Sequence, residues 1–397
     1  MDVKKYWKTI VAVCFIIATL TIFYVMQYNT TNIYPQLHMQ TKQGDEQSVE
    51  NVVFIGDMFS GVMTHQTFRF EQNETKYLEQ EPYTKRMRGY YQPLQIEQLQ
   101  KEYRSFMRGK LEDVNLFFEN ETYVAYGAAP YGLWSYNNEL FEIALLNKKT
   151  NEVTSFTTTI PEYGKYWYVE PYKVFMRENN VMLLTMNERF TSESEDDVAE
   201  LHVYTFDIEK EELVDETTLT ELARYYKDYE HQEIEMIESD KNNEEILIVQ
   251  TTYNYATDVE EVETSKVVLY NMVTGSLTDV AFDAQLGVPM SFDGDYIYSF
   301  KDTKQSIDMT KYDIDKKEVT EELTLQVEPQ PYMDAGAYYT VKNNDGKLYI
   351  VTSETPFDTF VIDTTTMEVE YEGNIISTGN VNPNIGEEMY IYDVEIR

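Results

Sequence analysis

The sequence predicts a mainly β protein in which an N-terminal transmembrane helix is followed by a β-propeller-like domain. Three observations lead to this fold class: an uncharged apolar stretch at Ile10 to Tyr28, a four-strand pattern that recurs along the chain, and no cysteine beyond Cys14. Without disulfides the domain depends on a hydrophobic core, and a domain of about 350 residues is large enough to build one.

The apolar stretch has the length of a single membrane span. As a helix, its 19 residues would be about 28 Å long, close to the roughly 30 Å hydrocarbon core of a bilayer. Three lysines precede it, and the next charge is Lys42. The positive-inside rule then predicts a cytoplasmic tail at residues 1–9, a lipid-embedded helix at residues 10–28 and an extracytoplasmic remainder held at the cell membrane. A cleaved signal peptide is disfavoured because the run is long and lacks a small-residue cleavage site.

Five segments share a hairpin pattern, in which an apolar strand ends at Asp or Asn and a polar turn leads into a second alternating strand. Their turns begin at Asn147, Asp207, Asn271, Asp313 and Asp363. An Asp or Asn side chain at this position can accept a hydrogen bond from the backbone two residues on, and period-two alternation is typical of strands. Another hairpin pattern precedes each one. Each repeat therefore has four predicted strands, the content of a propeller blade.

The two ends of the chain supply a further predicted sheet. A hairpin at Thr67 to Tyr77 and a strand at Met389 to Ile396 would together complete a sixth blade and remove exposed sheet edges. The spacing favours six blades, with seven blades or a pair of β-sandwiches as alternatives. Over residues 51–397 the chain resembles the β-propeller-like extracytoplasmic domains of poorly characterised membrane-anchored bacterial proteins. The resemblance is architectural and implies no ligand.

Three segments depart from the strand pattern. Residues 29–50 are polar and are expected to form a short stalk. Apolar residues recur every three or four positions over residues 93–114, which predicts an amphipathic helical insert. Thr218 and Glu221 make a capping-box pattern, which predicts a second helix that runs to Tyr229.

The charge of the chain excludes one class of partner. Residues 29–397 contain 29 basic and 69 acidic residues, a formal net charge of −40. A field of this sign repels phosphates, so nucleic acid is not an expected partner. Acidic runs near residues 193–197 and 257–263 would suit Ca²⁺, although they match no calcium-loop motif. We therefore expect no metal site and no cofactor, with Ca²⁺ as the alternative.

No motif predicts a catalytic residue. The chain has no nucleophile elbow, no zinc-ligand spacing and no phosphate-binding loop. His202 alternates within a predicted strand and is expected to be packed rather than to act as a base. The many carboxylates could supply the acid and base of a glycosidase. A hydrolase of envelope polymers therefore remains an alternative.

A local reversal of charge marks the strongest candidate binding segment. Residues 85–110 carry seven basic and two acidic residues, a net charge of +5. Such a segment could bind an acidic protein, anionic lipid or a wall polyanion. Alternatively, it could pair with the acidic surface of its own domain. The candidate binding residues are Arg86, Arg88, Lys101, Arg104 and Arg108.

Two aromatic segments form a second candidate. Residues 130–138 contain Trp134, and residues 161–172 contain Trp167, each among several tyrosines. Aromatic faces with few polar groups suit peptides or sugar rings, although packing between blades would explain the same residues.

Together these features predict a non-catalytic, membrane-anchored, extracytoplasmic binding or interaction module of the bacterial cell envelope, sensory or regulatory in role. Its expected partners are membrane lipid, through residues 10–28, and a protein or envelope polymer. The alternatives are an envelope-polymer hydrolase that uses paired carboxylates and a purely structural surface protein.

Overall fold

The computed structural model describes residues 3–30, 34–60, 64–129, 139–189, 198–227, 230–239, 244–254, 261–303, 305–328, 338–354, 356–378 and 387–397. Every structural statement below concerns these residues. The chain divides into two compact units. Unit 1 comprises Met1–Tyr91, Thr303–Gln305 and Gln326–Arg397, and unit 2 comprises Gln92–Asp302 and Ser306–Leu325.

The chain begins with helix α1, Val3–Thr30, of 28 residues. Its side chains are described at residues 6–8 and 10–22, and all of them are exposed. In the part of the chain that the structure describes, no helix is both long and apolar enough to cross a membrane. The predicted membrane span stays a prediction.

Unit 1 contains two antiparallel sheets. In one sheet the strand order is β1-β24-β23-β22-β21, and in the other it is β25-β2-β3-β4. The strands of the first sheet are β1 (Gln36–Gly44), β21 (Tyr339–Asn344), β22 (Lys347–Thr352), β23 (Phe357–Asp363) and β24 (Val369–Thr378). Those of the second are β2 (Val52–Ser60), β3 (Thr64–Glu71), β4 (Glu74–Tyr77) and β25 (Glu387–Ile396). Unit 1 also contains the 3-10 helices Glu46–Val49 and Leu78–Gln80 and the short helix α2, Tyr83–Arg86.

Unit 2 begins with helix α3, Leu94–Glu102, and the 3-10 helix Val114–Leu116. Its first sheet contains β5 (Phe117–Glu119), β6 (Tyr123–Ala128), β7 (Leu140–Asn147) and β8 (Val153–Thr159). An eight-stranded sheet follows, made of β9 (Tyr166–Arg177), β10 (Asn180–Arg189), β11 (Val198–Asp207), β12 (Glu212–Lys227), β13 (Glu230–Glu238), β14 (Glu245–Asn254), β15 (Glu261–Asn271) and β16 (Ser276–Val280). The last sheet contains β17 (Val288–Phe292), β18 (Tyr296–Asp302), β19 (Ser306–Asp313) and β20 (Glu318–Gln326). Two further 3-10 helices are Tyr163–Lys165 and Ala284–Leu286.

A meander of four antiparallel strands is the repeating element of both units. The eight-stranded sheet consists of two such meanders, β9 to β12 and β13 to β16, joined where Tyr226 pairs with His231 and Lys227 with Glu230. Counted in this way, the described residues contain six four-strand repeats, the number that the sequence favoured. The fold is mainly β, with sheets of the kind that form propeller blades.

The Asp and Asn residues hold their turns by the bond that the sequence predicted. The side-chain oxygens of Asn147, Asp207, Asn271 and Asp363 each accept from the backbone N–H two residues on. Asp313 instead accepts from Lys316, three residues on. These bonds hold the turns between the last two strands of five repeats, and those strands pair with each other, so the predicted hairpins are confirmed.

The two ends of the chain meet in one sheet, as predicted. Strand β25 pairs with β2 in antiparallel register from Val52 opposite Ile396 to Ser60 opposite Glu387. Strand β2, which the sequence analysis did not assign, lies between β25 and the predicted hairpin of β3 and β4. Its Phe54 and Met58 are buried in the core of unit 1.

The structure differs from the predicted stalk. Residues 36–44 form β1, which pairs with β24, and Leu37 is fully buried. The opposite edge of β1 is bonded to β4 and to the turn before it, because Leu37 N–H donates to Thr75 Oγ1 at 2.8 Å and Met39 N–H donates to Asn73 Oδ1 at 2.8 Å. Polar side chains alternate with buried ones along this strand, which is why its composition resembled a linker.

The structure corrects both helix predictions. The insert at 93–114 is helical only over Leu94–Glu102, and turns and a 3-10 helix complete the segment. The prediction of a helix at residues 218–229 is wrong, because residues 212–227 form strand β12, which pairs with β11 and β13. Pairing on both sides outweighs the local capping pattern, and the threonines before Leu219 favour a strand.

Lys42 of β1 forms an ion pair with a buried carboxylate of β23. The register of β1 and β24 shifts between Thr41 and Gln43, and a bulge of this kind re-aims the extra side chain. Lys42 Nζ lies 3.0 Å from Oδ1 of the buried Asp358. The other carboxylate oxygen of Asp358 accepts from Glu328 N–H at 2.7 Å. Among the described residues, the buried carboxylate of Asp358 therefore has its ion-pair partner on β1.

We expect Lys42→Met to lower the free energy of unfolding by roughly 1.5–3 kcal/mol, the range for a hydrogen bond to a charged group. The lost ammonium leaves Asp358 buried with less compensation. Gln43→Met, an exposed neighbour on the same strand, is the control and should change little. Urea unfolding of both variants measures the effect, and equal stabilities would contradict the assignment of β1 to the folded domain.

Candidate functional site

A pocket of about 420 Å³ opens in unit 1 beside β1 and the 3-10 helix Glu46–Val49. Its apolar lining includes the buried Val49, Val52, Phe54 and Phe70, with the two phenylalanine ring centroids 5.9 Å apart. Val52 and Phe54 are two residues apart on β2, so their side chains lie on the same face of the strand, Phe70 comes from β3, and Val49 comes from the 3-10 helix. The volume is in the range of small-ligand pockets.

The rim of this pocket is acidic. The exposed Glu46 and Glu50 line it, and its lining residues include no lysine or arginine. Glu46 is oriented by Thr41, whose hydroxyl donates to Glu46 Oε1 at 2.9 Å. An apolar floor with two carboxylates at its edge suits a ligand that has an apolar body and a positive charge. Sequence analysis missed this pocket, because its lining residues come from β1, the 3-10 helix, β2, β3 and the turn after β3, which share no motif.

Helix α3 and the turns after it position three of the predicted basic residues in unit 2. Ile96, Leu99, Phe106 and Met107 are buried in one apolar cluster of unit 2. The turns are held by backbone bonds from Tyr103 N–H to Leu99 O at 2.7 Å and from Met107 N–H to Tyr103 O at 3.0 Å. Burial of the apolar face leaves the basic side chains on the outside.

Lys101, Arg104 and Arg108 are all exposed. Among the residues that the structure describes, no carboxylate lies within ion-pair distance of any of the three. Lys110 differs, since its Nζ lies 4.4 Å from the Phe106 ring centroid and 4.8 Å from that of Tyr126. Burial there lowers the pKa of Lys110. The predicted pairing with an acidic surface is therefore not seen for the three exposed residues.

Arg86 and Arg88 belong to unit 1, so the predicted basic segment is divided between the units. Arg88 is exposed, and Arg86 is partly buried with its guanidinium 5.9 Å from the Tyr83 ring centroid. Lys85, beside them, pairs with Glu81 at 3.5 Å. The predicted basic segment therefore forms two separate groups, one in unit 1 with Arg86 and Arg88 and one in unit 2 with the other three residues.

The predicted aromatic residues are only partly described. Trp134 lies outside the described residues, and Trp167 is described in its backbone alone, within β9. Its neighbour Tyr166 is buried and packs edge-on against His202, with ring centroids 5.7 Å apart. Tyr166 therefore fits the alternative stated for this segment, in which its aromatic residues pack inside the protein rather than bind a ligand.

His202 lies in a buried polar cluster on one face of β10 to β12. It is 2% exposed, and its ring stacks on Tyr204 with an interplanar angle of 10°. Nδ1 lies 3.1 Å from Glu216 Oε1, and Nε2 lies 3.6 Å from Glu200 Oε2. The Tyr204 hydroxyl accepts from Asn187 Nδ2 at 2.8 Å. The expectation of a packed histidine is confirmed.

Burial governs the ionisation of this cluster. Removal from water lowers the pKa of His202, although the nearby Glu216 partly opposes the effect. Burial likewise raises the pKa of Tyr204. Both groups are therefore neutral at neutral pH. The His202 imidazole is therefore a packed, neutral side chain within the sheet.

In the described part of the chain, no group of three or more His, Cys, Asp or Glu side chains is placed so that it could hold a metal ion. The acidic run at 193–197 lies outside the described residues, as does most of the run at 257–263.

No protein-family model matches this sequence, and no curated protein matches it significantly. Solved structures with a similar fold include the acylaminoacyl peptidase of Pyrococcus horikoshii, with a TM-score of 0.35 and 12% identity over 88% of this chain and 47% of that chain. The β-propeller domain of the Trilobed protease from Pyrococcus furiosus has a TM-score of 0.34 and 10% identity over 91% and 95% of the two chains. A Dos1 propeller has a TM-score of 0.30 and 10% identity over 66% and 71%. At these scores they assign neither ligand nor activity to this chain, which spans less than half of the peptidase.

We expect His202 to make stability depend on pH. Its pKa in the folded protein is lower than the unfolded value of about 6.5, so the unfolded chain binds the proton more readily. Stability is therefore complete above that value and is lost as the pH falls below it. His202→Gln should reduce the loss of stability between pH 7 and pH 5 in urea unfolding. Equal pH dependence in both proteins would contradict this assignment.

Proposed function

We propose that the protein is a non-catalytic, membrane-anchored, extracytoplasmic binding module of the cell envelope that binds an anionic envelope polymer. One observation carries the proposal: Lys101, Arg104 and Arg108 are exposed without a carboxylate partner among the described residues, in a chain with many more acidic than basic residues. The chain contains 70 acidic and 32 basic residues, so there are more than enough carboxylates to pair with every basic side chain. Their position in solvent supports a partner from outside.

The packing of α3 supports a binding surface over a structural role. The apolar contacts of this segment are made by Ile96, Leu99, Phe106 and Met107, which leaves the basic side chains without a part in holding it in place. Exposed charges of this kind contribute little to stability. A role in binding would then be separable from folding by substitution.

The anchor is supported by the exposure of α1. Apolar side chains along its described length are open to the surroundings, among them Phe15 at 72% and Ile22 at 60%. Leaving a continuous apolar surface of this size in water is costly, and burial in lipid would remove that cost. Lysines at the N-terminal end favour a cytoplasmic start, which would place both units outside.

The absence of a catalytic role is part of the proposal. The packed histidine, His202, is closed to a substrate. The alternative of an envelope hydrolase would require two accessible carboxylates about 5–10 Å apart. A purely structural surface protein, the other alternative, would bind no polymer through its basic residues.

We expect the double variant Arg104→Glu and Arg108→Glu to lose at least tenfold in affinity for immobilised polyphosphate or poly-L-glutamate, because two attractive charges become repulsive. The melting temperature should stay within about 2 °C, since surface pairs contribute little to stability. Binding is measured by biosensor at several salt concentrations, and comparison of the two polymers separates phosphate from carboxylate ligands.

Lys149→Glu with Lys317→Glu is the matched control, because both lysines are exposed and the change in net charge is the same. This control should retain most of the binding. If the two double variants lose affinity equally, net charge alone explains the result and the proposed surface is wrong. Loss of stability in the Arg104 and Arg108 variant would instead assign these residues a structural role.

A further inference from the structure

We infer that the segment from Tyr83 to Tyr90, here called the α2 segment, rests on the surface of an anionic lipid bilayer beside the membrane anchor. The inference rests on the proposed anchoring of α1 and assigns to unit 1 a second, independent lipid contact. It is carried by the place of this segment in unit 1 and by its side chains.

The distance along the chain between α1 and the folded part of unit 1 is short. Helix α1 ends at Thr30, and Tyr34 is already fixed, with its ring stacked on Tyr77 at 4.6 Å between centroids. The Tyr77 hydroxyl also donates to Pro35 O at 2.8 Å, and the Tyr34 hydroxyl donates to Glu79. Three residues between Thr30 and Tyr34 span at most about 14 Å when fully extended. This end of unit 1 therefore cannot lie far from the end of the anchor.

The α2 segment lies at the same end of unit 1. It follows the 3-10 helix Leu78–Gln80, which starts directly after Tyr77 and contacts α2. At the far end of the segment, the Tyr91 hydroxyl donates to Lys76 O at 3.0 Å. Both ends of the α2 segment are thus tied to the end of β4 that Tyr34 covers.

The side chains of the α2 segment suit a bilayer interface. Tyr83 is 67% exposed, Met87 is 70% exposed and Tyr90 is 45% exposed. Residues 82–91 also contain three basic residues and no acidic residue. Tyrosine is enriched at the headgroup level of membranes, and lysine and arginine side chains near an anionic lipid surface are attracted to it.

A fluorescent label on cysteine tests both lipid contacts in the full-length protein in nanodiscs. Cys14 is the only cysteine, so the natural chain carries a label within α1. In a Cys14→Ala background, Met87→Cys places the label on the α2 segment. Thr365→Cys serves as the control, because it is exposed in the turn at the opposite end of the β1 sheet from Tyr34. The nine residues of β1 make that separation about 25 Å.

With nitroxide lipids in discs that contain phosphatidylglycerol, we expect the labels at positions 14 and 87 to be quenched by roughly half or more, as for side chains that reach the interface. The label at position 365 should be unaffected. Lys85→Glu with Arg88→Glu should remove most of the quenching at position 87 and leave that at position 14 unchanged. Discs of phosphatidylcholine alone should give weaker quenching at position 87.

The outcomes separate the two proposals. Quenching at position 14 without quenching at position 87 overturns this inference and keeps the anchor. Quenching at neither position overturns both. Quenching at position 87 that ignores charge reversal and lipid charge also overturns the inference, because contact would then come from tethering alone.

Discussion

The pairing of β25 with β2 is the constraint on which unit 1 depends. It joins strands from opposite ends of the chain over nine residue pairs, from Val52 with Ile396 to Ser60 with Glu387. Closing so long a loop costs entropy, and that cost is recovered only when both strands and their core are complete. The core of this sheet includes Phe54 from β2 and Ile391 from β25. Unit 1 can therefore be completed only after β25 has been synthesised.

Much of the β architecture was predictable, because the turns are determined locally. An Asp or Asn side chain that binds the backbone two residues on produces a hairpin wherever it follows an alternating strand, as at Asn147 and Asp363. The role of β1 was not predictable, since its edge is held by Thr75 and Asn73, which are distant in sequence. Strand β12 was mistaken for a helix over residues 218–229 for a different reason: the local capping pattern at Thr218 is outweighed by pairing with β11 and β13.

The candidate sites show the same division. Charge counting identified Lys101, Arg104 and Arg108, because a basic run in an acidic chain is visible without coordinates. It could not separate them from Arg86 and Arg88, which belong to a different unit. The acidic-rimmed pocket depends on Glu46, Phe54 and Phe70 meeting across three elements. No residue spacing in the sequence indicates that these three side chains lie together.

The position of β1 has a mechanical consequence. A force transmitted through α1 would enter the folded chain at Tyr34 and act along β1, which is antiparallel to β24 over eight paired positions. Such a pull loads the ladder in shear, so its hydrogen bonds must fail together rather than one at a time. Lys42, at the far end of the strand, adds its ion pair to that resistance. In the proposed membrane-anchored protein, the pairing of β1 with β24 would bear tension between the membrane and a bound polymer.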